Sequence, residues 1–159
     1  MSALRLLLFV SDPLTADVRL KPLLEDRAVV KIGHNLKYDM IVLARAGLSV
    51  APYDDTIVMS FDLDAGLHGH GMDELAATHL SHSCIAYKDV VGTGKSQRGF
   101  HEIDLKSATR YAAEDADVTY RLWKRFKARL PAEEATRVYE MVDRPLVPVI
   151  ARMETRGIK

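Results

Sequence analysis

Two pairs of polar residues in this sequence are spaced so that each pair could act together in a reaction. Tyr111 and Asp115 belong to the segment Tyr-Ala-Ala-Glu-Asp, inside a run from 105 to 130 that lacks glycine and proline. Asn35 and Asp39 belong to Asn-Leu-Lys-Tyr-Asp, directly after an apolar segment. Residues four apart share one face of a helix, so each pair would bring its side chains together. Aspartate carboxylates are the oxygen ligands that hard divalent cations prefer.

Each pair also has an ordinary structural explanation. Asparagine and aspartate at the start of a helix commonly cap it. An acidic residue at the rim of a helix is commonly solvated. Taken alone, the two pairs leave these explanations open beside the chemical one.

The composition describes an ordinary globular domain. The 159 residues are 48% hydrophobic and 28% charged, and Lys+Arg and Asp+Glu balance at 22 each. With no global field, any binding of nucleic acid must depend on a few placed cations. The single cysteine, Cys84, excludes an internal disulfide and is typical of a reducing cytosol, so we expect a cytoplasmic protein.

The apolar run at the N-terminus, 4–10, is too short to span a membrane and lacks the features of a signal peptide. We interpret it as a buried strand or as sequence outside the domain proper. We therefore expect no membrane association.

Helical and strand patterns alternate along the chain, which predicts an α/β fold. A β-branched run stopped by glycine predicts a strand over 29–33. Spacing of apolar residues predicts helices over 17–26, 36–46, 72–80, 105–130 and 132–142, with Pro131 ending the long one and a last helix running to Arg156. The segment 57–61 continues apolar, and 63–70 is predicted to be a turn region.

Other polar segments have weaker chemical signals. The loop 92–99 is rich in glycine and basic residues but lacks the spacing of a P-loop, so a basic surface loop and a nucleotide site both stay open. Five histidines form no helical i, i+4 metal pair and are predicted to lie at the surface: His68, His70, His79, His82 and His101.

The two pairs, in this order, resemble the second and third motifs of the DEDD 3′–5′ exonucleases of the tyrosine subclass. Longer segments look like the 3′–5′ exonuclease (proofreading) domain of bacterial DNA polymerase I: 21–26, 31–39, 71–76, 111–119 and 144–150. The resemblance covers residues 19–159, and the connecting residues match as well as the motifs.

The resemblance implies an α/β, ribonuclease H-like exonuclease fold. It divides the chain into a non-matching N-terminal segment at 1–18, a partial exonuclease domain at 19–142, and a helix at 143–159 leading toward an absent polymerase domain.

The resemblance also implies roles for individual residues. Two Mg²⁺ (or Mn²⁺) ions would activate the attacking water and stabilise the leaving 3′ oxygen. Asp115 would be a direct metal ligand, Asp39 would hold the second metal, and Tyr111 would orient the water. The residues implied to contact substrate are Asn35, His34, Tyr87, which would stack on the terminal bases, and Lys95 and Gln97 of the glycine loop.

One departure from the family limits the expected activity. The first family motif, Asp-x-Glu, supplies two of the four carboxylates and is absent from this sequence. We expect weakly held cations and little or no activity from this chain alone. Asp12 could replace one missing carboxylate but not both. The opening strands of the fold would be missing too, which favours self-association through an exposed sheet edge.

The leading hypothesis is therefore a fragment of a DNA polymerase I exonuclease domain, whose parent removes the 3′-terminal nucleotide of single-stranded DNA. The alternative is a non-catalytic nucleic-acid-binding or scaffold module. A ribonuclease of the same superfamily is a third possibility, which the segment 144–150 disfavours. The presence of Asp39, Tyr111 and Asp115 favours the first hypothesis, because a scaffold would be expected to lose them.

Overall fold

The structure is a computed structural model that describes residues 2–5, 20–94 and 97–158, with the first of these ranges described as backbone only. A parallel sheet carries three strands within these ranges, in the order β1-β2-β3. The strands are β1 (Ser2–Arg5), β2 (Val29–Gly33) and β3 (Tyr53–Asp55). Ser2 pairs with Val29, and Lys31 pairs with Tyr53. The strand predicted within 4–10 is thus described only up to Arg5, and the rest of that segment lies outside the described residues.

Eight helical segments surround this sheet in the described ranges. They are α1 (20–25), α2 (Leu36–Arg45), α3 (Thr56–Asp64), α4 (Met72–Leu80), α5 (Tyr87–Val91), α6 (Leu105–Ala132), α7 (Thr136–Val138) and α8 (Arg144–Thr155). A 3₁₀ turn, Phe100–Glu102, precedes α6, and a π-helical turn, Tyr139–Asp143, joins α7 to α8. No helix in the described part of the chain is long and apolar enough to cross a membrane.

The boundaries near the C-terminus differ from those predicted. Pro131 lies inside the last turn of α6, which continues for one residue past the proline and ends at Ala132. A turn then follows in which Glu134 adopts a positive φ of 59°. The helix predicted over 132–142 therefore begins only at Thr136 and continues through the π-helical turn into α8.

Helix α6 is anchored by an apolar stripe that contacts α3 and α4. The buried members of this core are Met59, Leu75, Ala76, Val118, Leu122, Phe126, Leu130, Ala135 and Tyr139. Full burial of a leucine or phenylalanine side chain stabilises a fold by about 1.5–3 kcal/mol. The stripe therefore fixes the orientation of α6 and of the polar residues nearer its N-terminus. A second cluster, under α1 and α2, contains Leu24, Leu43, Leu48 and Val50.

A buried carboxylate connects β3 to the C-terminal half of the chain. Asp54 accepts hydrogen bonds from Trp123 Nε1 (2.8 Å) and the Tyr139 hydroxyl (2.9 Å). Arg144 donates to the same carboxylate at 3.1 Å. Because buried polar groups are costly unless they are paired, these bonds fix α6 and α8 relative to the sheet.

Candidate active site

The predicted pair on α6 lies at the edge of the core. Asp115 is only 8% exposed, and the Tyr111 side chain hydrogen-bonds to it. Burial raises the pKa of Asp115 to about 6, while the bond from Tyr111 lowers it. The charged groups that act on Asp115 are both acidic, Glu114 and Asp73. The carboxylate therefore lies in a region of negative potential, which is the environment that a divalent cation neutralises.

Tyr111 remains a protonated phenol. Burial and the nearby Asp115 both raise its pKa above the usual value for tyrosine. A phenol with a raised pKa donates hydrogen bonds and does not act as a strong base at neutral pH. The predicted positioning role of Tyr111 is compatible with this state.

The ring of Tyr111 belongs to a cluster of three aromatic side chains. Tyr87 stacks on Phe100 with ring centroids 6.3 Å apart. Tyr111 meets both rings, at 6.0 Å from Tyr87 and 6.1 Å from Phe100. Tyr87 is 48% exposed, so part of its ring is open to a ligand. The structure thus brings Tyr87 together with Tyr111 and Asp115, and it adds Phe100, for which the sequence offered no signal beyond its aromatic side chain.

Glu114 holds the segment that leads to Tyr87 against α6. One carboxylate oxygen lies 2.9 Å from His82 Nε2, and the other accepts the Ile85 backbone N–H at 2.6 Å. Since Glu114 precedes Asp115 in the chain, the same turn of α6 carries the candidate ligand and positions the aromatic side chain. Sequence reasoning treated this glutamate only as part of a motif.

Asp73 is a second acidic residue that sequence reasoning missed. It belongs to the first turn of α4, where an acidic residue is favoured by the charge preference of helix N-termini. In the structure its charge raises the pKa of Asp115 and of Tyr111. Asp73 is thus a neighbour of the candidate site, contributed by a different helix.

The other predicted pair lies at the carboxyl end of β2, where α2 begins. Asn35 is the N-cap residue with a positive φ of 62°, but its side chain makes no capping bond. The cap comes from Asp55, which accepts the backbone N–H groups of Asn35 (2.9 Å) and Leu36 (2.8 Å). The exposed Asn35 amide is therefore available for other contacts, and the capping explanation of Asn35 does not hold for its side chain.

Asp39 lies in the first turn of α2. Burial and the charge of Asp55 raise its pKa to about 6. Burial also raises the pKa of Asp55 to about 6, although three backbone N–H groups bind its carboxylate. Asp39, like Asp115, thus has an acidic partner. Sequence reasoning did not identify Asp55, because its contact with α2 spans a long sequence separation.

His34 is held within the protein. Its Nδ1 atom lies 2.8 Å from Thr56 Oγ1, and its ring also bonds to the backbone of His70. Burial lowers its pKa to about 4, so the ring is neutral at physiological pH. Its contact with substrate stays a prediction.

The remaining predicted residues contribute less. Gln97 is exposed beside Gly94, whose carbonyl accepts the Gln97 backbone N–H at 3.2 Å. Lys95 and Asp12 lie outside the described residues.

Helix α6 packs against β2, the strand that leads into Asn35 and Asp39. The two halves of the site are thus on adjacent elements, while a joint role of Asp39 and Asp115 stays a prediction.

Two of the histidines predicted at the surface are mostly buried. The side chains of His68 and His79 are 16% and 10% exposed. Both rings face the carboxylate of Asp64, at the C-terminal end of α3. The prediction failed because it searched for a pair on one helix, whereas the fold brings together residues from three consecutive segments.

Comparisons with known proteins agree on one family. The sequence pattern of the family described as 3′–5′ exonuclease matches residues 8–131. The chain is 54% identical over 140 residues to a DNA polymerase I of Rhizobium leguminosarum, an alignment that covers 88% of this chain and 14% of that protein. It is 44% identical over 142 residues to DNA polymerase I of Pseudomonas aeruginosa, covering 87% and 16%. The chain thus spans about one seventh of the length of these relatives.

Solved structures show the same fold. Brucella melitensis NrnC bound to pGG superposes with a TM-score of 0.72 at 25% identity, covering 88% of this chain and 65% of that one. The same protein with bound Mg²⁺ gives a TM-score of 0.70 at 26% identity, covering 87% and 64%. The predicted α/β, ribonuclease H-like exonuclease fold is confirmed by these similarities.

Proposed function

We infer that this chain, which belongs to the 3′–5′ exonuclease family, is part of the proofreading domain of a DNA polymerase I and serves the hydrolysis of the 3′-terminal nucleotide of DNA. The observation that carries this proposal is the hydrogen bond between Tyr111 and the buried carboxylate of Asp115. It joins a carboxylate in acidic surroundings to a protonated phenol, next to an aromatic ring that is open to solvent.

The residues present fit a divalent cation. Enzymes of this family generally depend on divalent metal ions. Asp115 and Asp39 offer carboxylate oxygens, and the charged groups that raise their pKa values are other carboxylates. Mg²⁺ or Mn²⁺ held by these two residues would supply an activated water and charge stabilisation for the leaving 3′ oxygen.

Each side chain of the site has a defined task in this proposal. The Tyr111 phenol holds the attacking water by a hydrogen bond, and Asp115 keeps the phenol in place. Tyr87 stacks on the base of the terminal nucleotide, since aromatic stacking accepts any base. Asn35 and His34 are proposed to contact the nucleotide from the start of α2. Lys95 and Gln97 are proposed to bind the phosphodiester backbone.

The proposed partners follow from the relatives. Both relatives described above are DNA polymerases, so we propose the 3′ end of single-stranded DNA as substrate, a polymerase domain as the adjoining partner and the cytoplasm as the site of action. Self-association through a free edge of the sheet is a further proposal, since an exposed edge strand presents unpaired backbone groups.

Activity of the chain by itself is proposed to be weak or absent. The sequence contains no Asp-x-Glu, and two aspartates supply less negative charge than a paired metal site requires. The same site could therefore bind DNA without cleaving it, which is the non-catalytic alternative.

A gain-of-function assay separates these possibilities. The chain is prepared with an Asp-x-Glu strand of a DNA polymerase I relative joined ahead of it, and a single-stranded DNA labelled at its 5′ end is the substrate. The proposal predicts Mg²⁺-dependent shortening from the 3′ end that Asp115→Asn abolishes. Asp117→Asn, two residues further along the same helix, is the matched control and should leave shortening unchanged. DNA binding without shortening by the folded protein would support the scaffold alternative instead.

A further inference from the structure

Asp64, His68 and His79 form a cluster of metal-ligating side chains away from the two pairs described above. One ligand atom from each residue lies within 4.8 Å of the others. Asp64 is the last residue of α3, His68 belongs to the following turn, and His79 is in the last turn of α4. We refer to these three residues as the Asp-His-His cluster.

Arg129 of α6 holds the carboxylate of this cluster. Its two terminal nitrogens each donate to one oxygen of Asp64 at 2.7 Å. This bidentate pair keeps the pKa of Asp64 below its usual value. Asp64 is therefore ionised and fixed in orientation, with Oδ2 directed toward both histidine rings.

The hydrogen bond of His68 fixes which ring nitrogen is protonated. Nδ1 lies 2.7 Å from the Gly69 carbonyl oxygen. A carbonyl oxygen only accepts, so Nδ1 must be the donor. In the neutral ring Nε2 then carries a lone pair, and it lies 3.7 Å from Asp64 Oδ2, another acceptor. A proton on Nε2, or a cation bound between these two atoms, would remove the repulsion between them.

His79 presents a similar unfilled position. Its Nε2 atom is buried and has no hydrogen-bond partner in the described part of the chain. It lies 3.6 Å from the same oxygen of Asp64. Phe126 packs edge-on against the ring, 5.0 Å between centroids.

We propose that the Asp-His-His cluster is a binding site for a zinc-class transition-metal dication. Zn²⁺ binds histidine nitrogen and carboxylate oxygen at 2.0–2.2 Å, so tetrahedral ligands are separated by about 3.3–3.5 Å. The distances from Asp64 Oδ2, 3.6 and 3.7 Å, need only small side-chain shifts to meet this geometry. A water molecule would complete the coordination.

The types of ligand atom distinguish the Asp-His-His cluster from the candidate active site, where Asp39 and Asp115 offer only carboxylate oxygens. Imidazole nitrogen suits Zn²⁺, whereas Mg²⁺ prefers carboxylate and water oxygens. The His68–Gly69 hydrogen bond is the kind of outer contact that orients a metal-bound histidine. A bound ion would join α3 to α4 and, through Arg129, to α6, the helix that carries Tyr111 and Asp115. The proposed role is therefore structural.

Zn²⁺ binding to the whole chain tests the proposal, with Co²⁺ as a spectroscopic probe. We expect one Zn²⁺ per chain after dialysis against limiting metal, and the absorption of four-coordinate Co²⁺. His68→Gln and His79→Gln should each weaken Zn²⁺ affinity at least about tenfold. His101→Gln removes an exposed histidine and should have no effect, and Asp39→Asn/Asp115→Asn should retain the site. Unchanged affinity in both cluster variants, or loss of Zn²⁺ in the double aspartate variant, would overturn the proposal.

A measurement on the unsubstituted chain keeps the test independent of folding defects. In ¹⁵N spectra of the histidine rings, stoichiometric Zn²⁺ should shift the Nε2 signals of His68 and His79 and leave that of His101 in place. If His68 instead pairs with Asp64 as a protonated ring, its Nε2 signal will report a proton and will not respond to Zn²⁺. That result would contradict the proposed site.

Discussion

The Tyr111 phenol hydrogen-bonds to the Asp115 carboxylate across one turn of α6. This bond stabilises the ionised form of an aspartate that burial otherwise disfavours, and it fixes the phenol beside Tyr87 and Phe100. A buried acid near other acids costs stability in the absence of a cation, which is typical of residues retained for function.

Replacing Asp115 with asparagine should stabilise the metal-free protein at neutral pH. Burial raises the pKa of Asp115 to about 6, so the folded chain binds this proton more tightly than the unfolded chain, whose aspartate pKa is about 3.9. The contribution to stability is thus complete below about pH 4 and is lost as the pH rises to about 6. The free energy of unfolding of Asp115→Asn, measured with urea in EDTA, should exceed that of the unchanged chain by about 1–2 kcal/mol at pH 7.5.

At pH 4 this difference should fall to about 0.5 kcal/mol or less, because Asp115 is then neutral in the folded chain and about half protonated in the unfolded chain. Asp117→Asn is the control, since Asp117 is half exposed and pairs with Arg121. A lower stability of Asp115→Asn at pH 7.5 would show that the carboxylate is needed for folding and is not a cost.

Removing the exposed ring of the aromatic cluster should weaken binding of single-stranded DNA. Stacking of a base on an aromatic side chain contributes about 1–3 kcal/mol. Tyr87→Ala should therefore weaken DNA binding, measured by fluorescence anisotropy, by about 1–3 kcal/mol, while Tyr87→Phe keeps most of it. Phe61→Ala removes another exposed aromatic ring and serves as the control. Equal losses in Tyr87→Ala and Phe61→Ala would show that the effect is not specific to the site.

Glu114 should hold in place the segment that leads to Tyr87. Its carboxylate bonds to His82 and to the Ile85 backbone, five and two residues before Tyr87. Glu114→Ala leaves the Ile85 N–H unpaired, so we expect a loss of about 1–3 kcal/mol in the free energy of unfolding. Amide hydrogen exchange should accelerate at 82–86 and remain unchanged in α4. Asp117→Ala, on the same helix, should change neither quantity; protection retained at 82–86 in Glu114→Ala would contradict the positioning role.

The buried carboxylate of Asp54 should contribute strongly to stability. It is 2% exposed, and both of its oxygens accept hydrogen bonds, Oδ2 from Trp123 and Oδ1 from Tyr139 and Arg144. In Asp54→Asn an amide NH₂ replaces one of the two acceptor oxygens and therefore faces a hydrogen-bond donor. The free energy of unfolding should fall by about 3 kcal/mol. Fluorescence of Trp123, the sequence's one tryptophan, reports the transition. Asp89→Asn, on the exposed side of α5, is the control. An equal loss of unfolding free energy in Asp54→Asn and Asp89→Asn would disprove this role for Asp54.

Patterns of apolar residues predicted β2, α2 and α4 closely, because each has a clear period and a glycine at or near an end. They missed β3 and α3, since a strand of three residues is too short for a period to emerge. They also ended α6 at Leu130, two residues early.

In the candidate site, too, contacts between residues close in sequence were predictable and contacts between distant residues were not. Tyr111 and Asp115 are one turn apart, so their contact was predictable from helix geometry alone. The electrostatic effect of Asp73 on Asp115 and the hydrogen bond of Asp55 to α2 join residues distant in sequence. The Asp-His-His cluster depends on a turn that brings His79 back over α3, which no sequence period encodes.

The central proposal is that Asp39 and Asp115 hold divalent cations in one site. Broadening of backbone NMR signals by Mn²⁺ tests this directly. Signals at 35–39 and at 111–115 should broaden together as Mn²⁺ is added, and Asp115→Asn should reduce the broadening at both segments. Asp117→Asn should leave both unchanged. If Asp115→Asn abolishes broadening only around 111–115 and leaves 35–39 unaffected, the two aspartates bind cations separately. That result would contradict the proposal of one shared site.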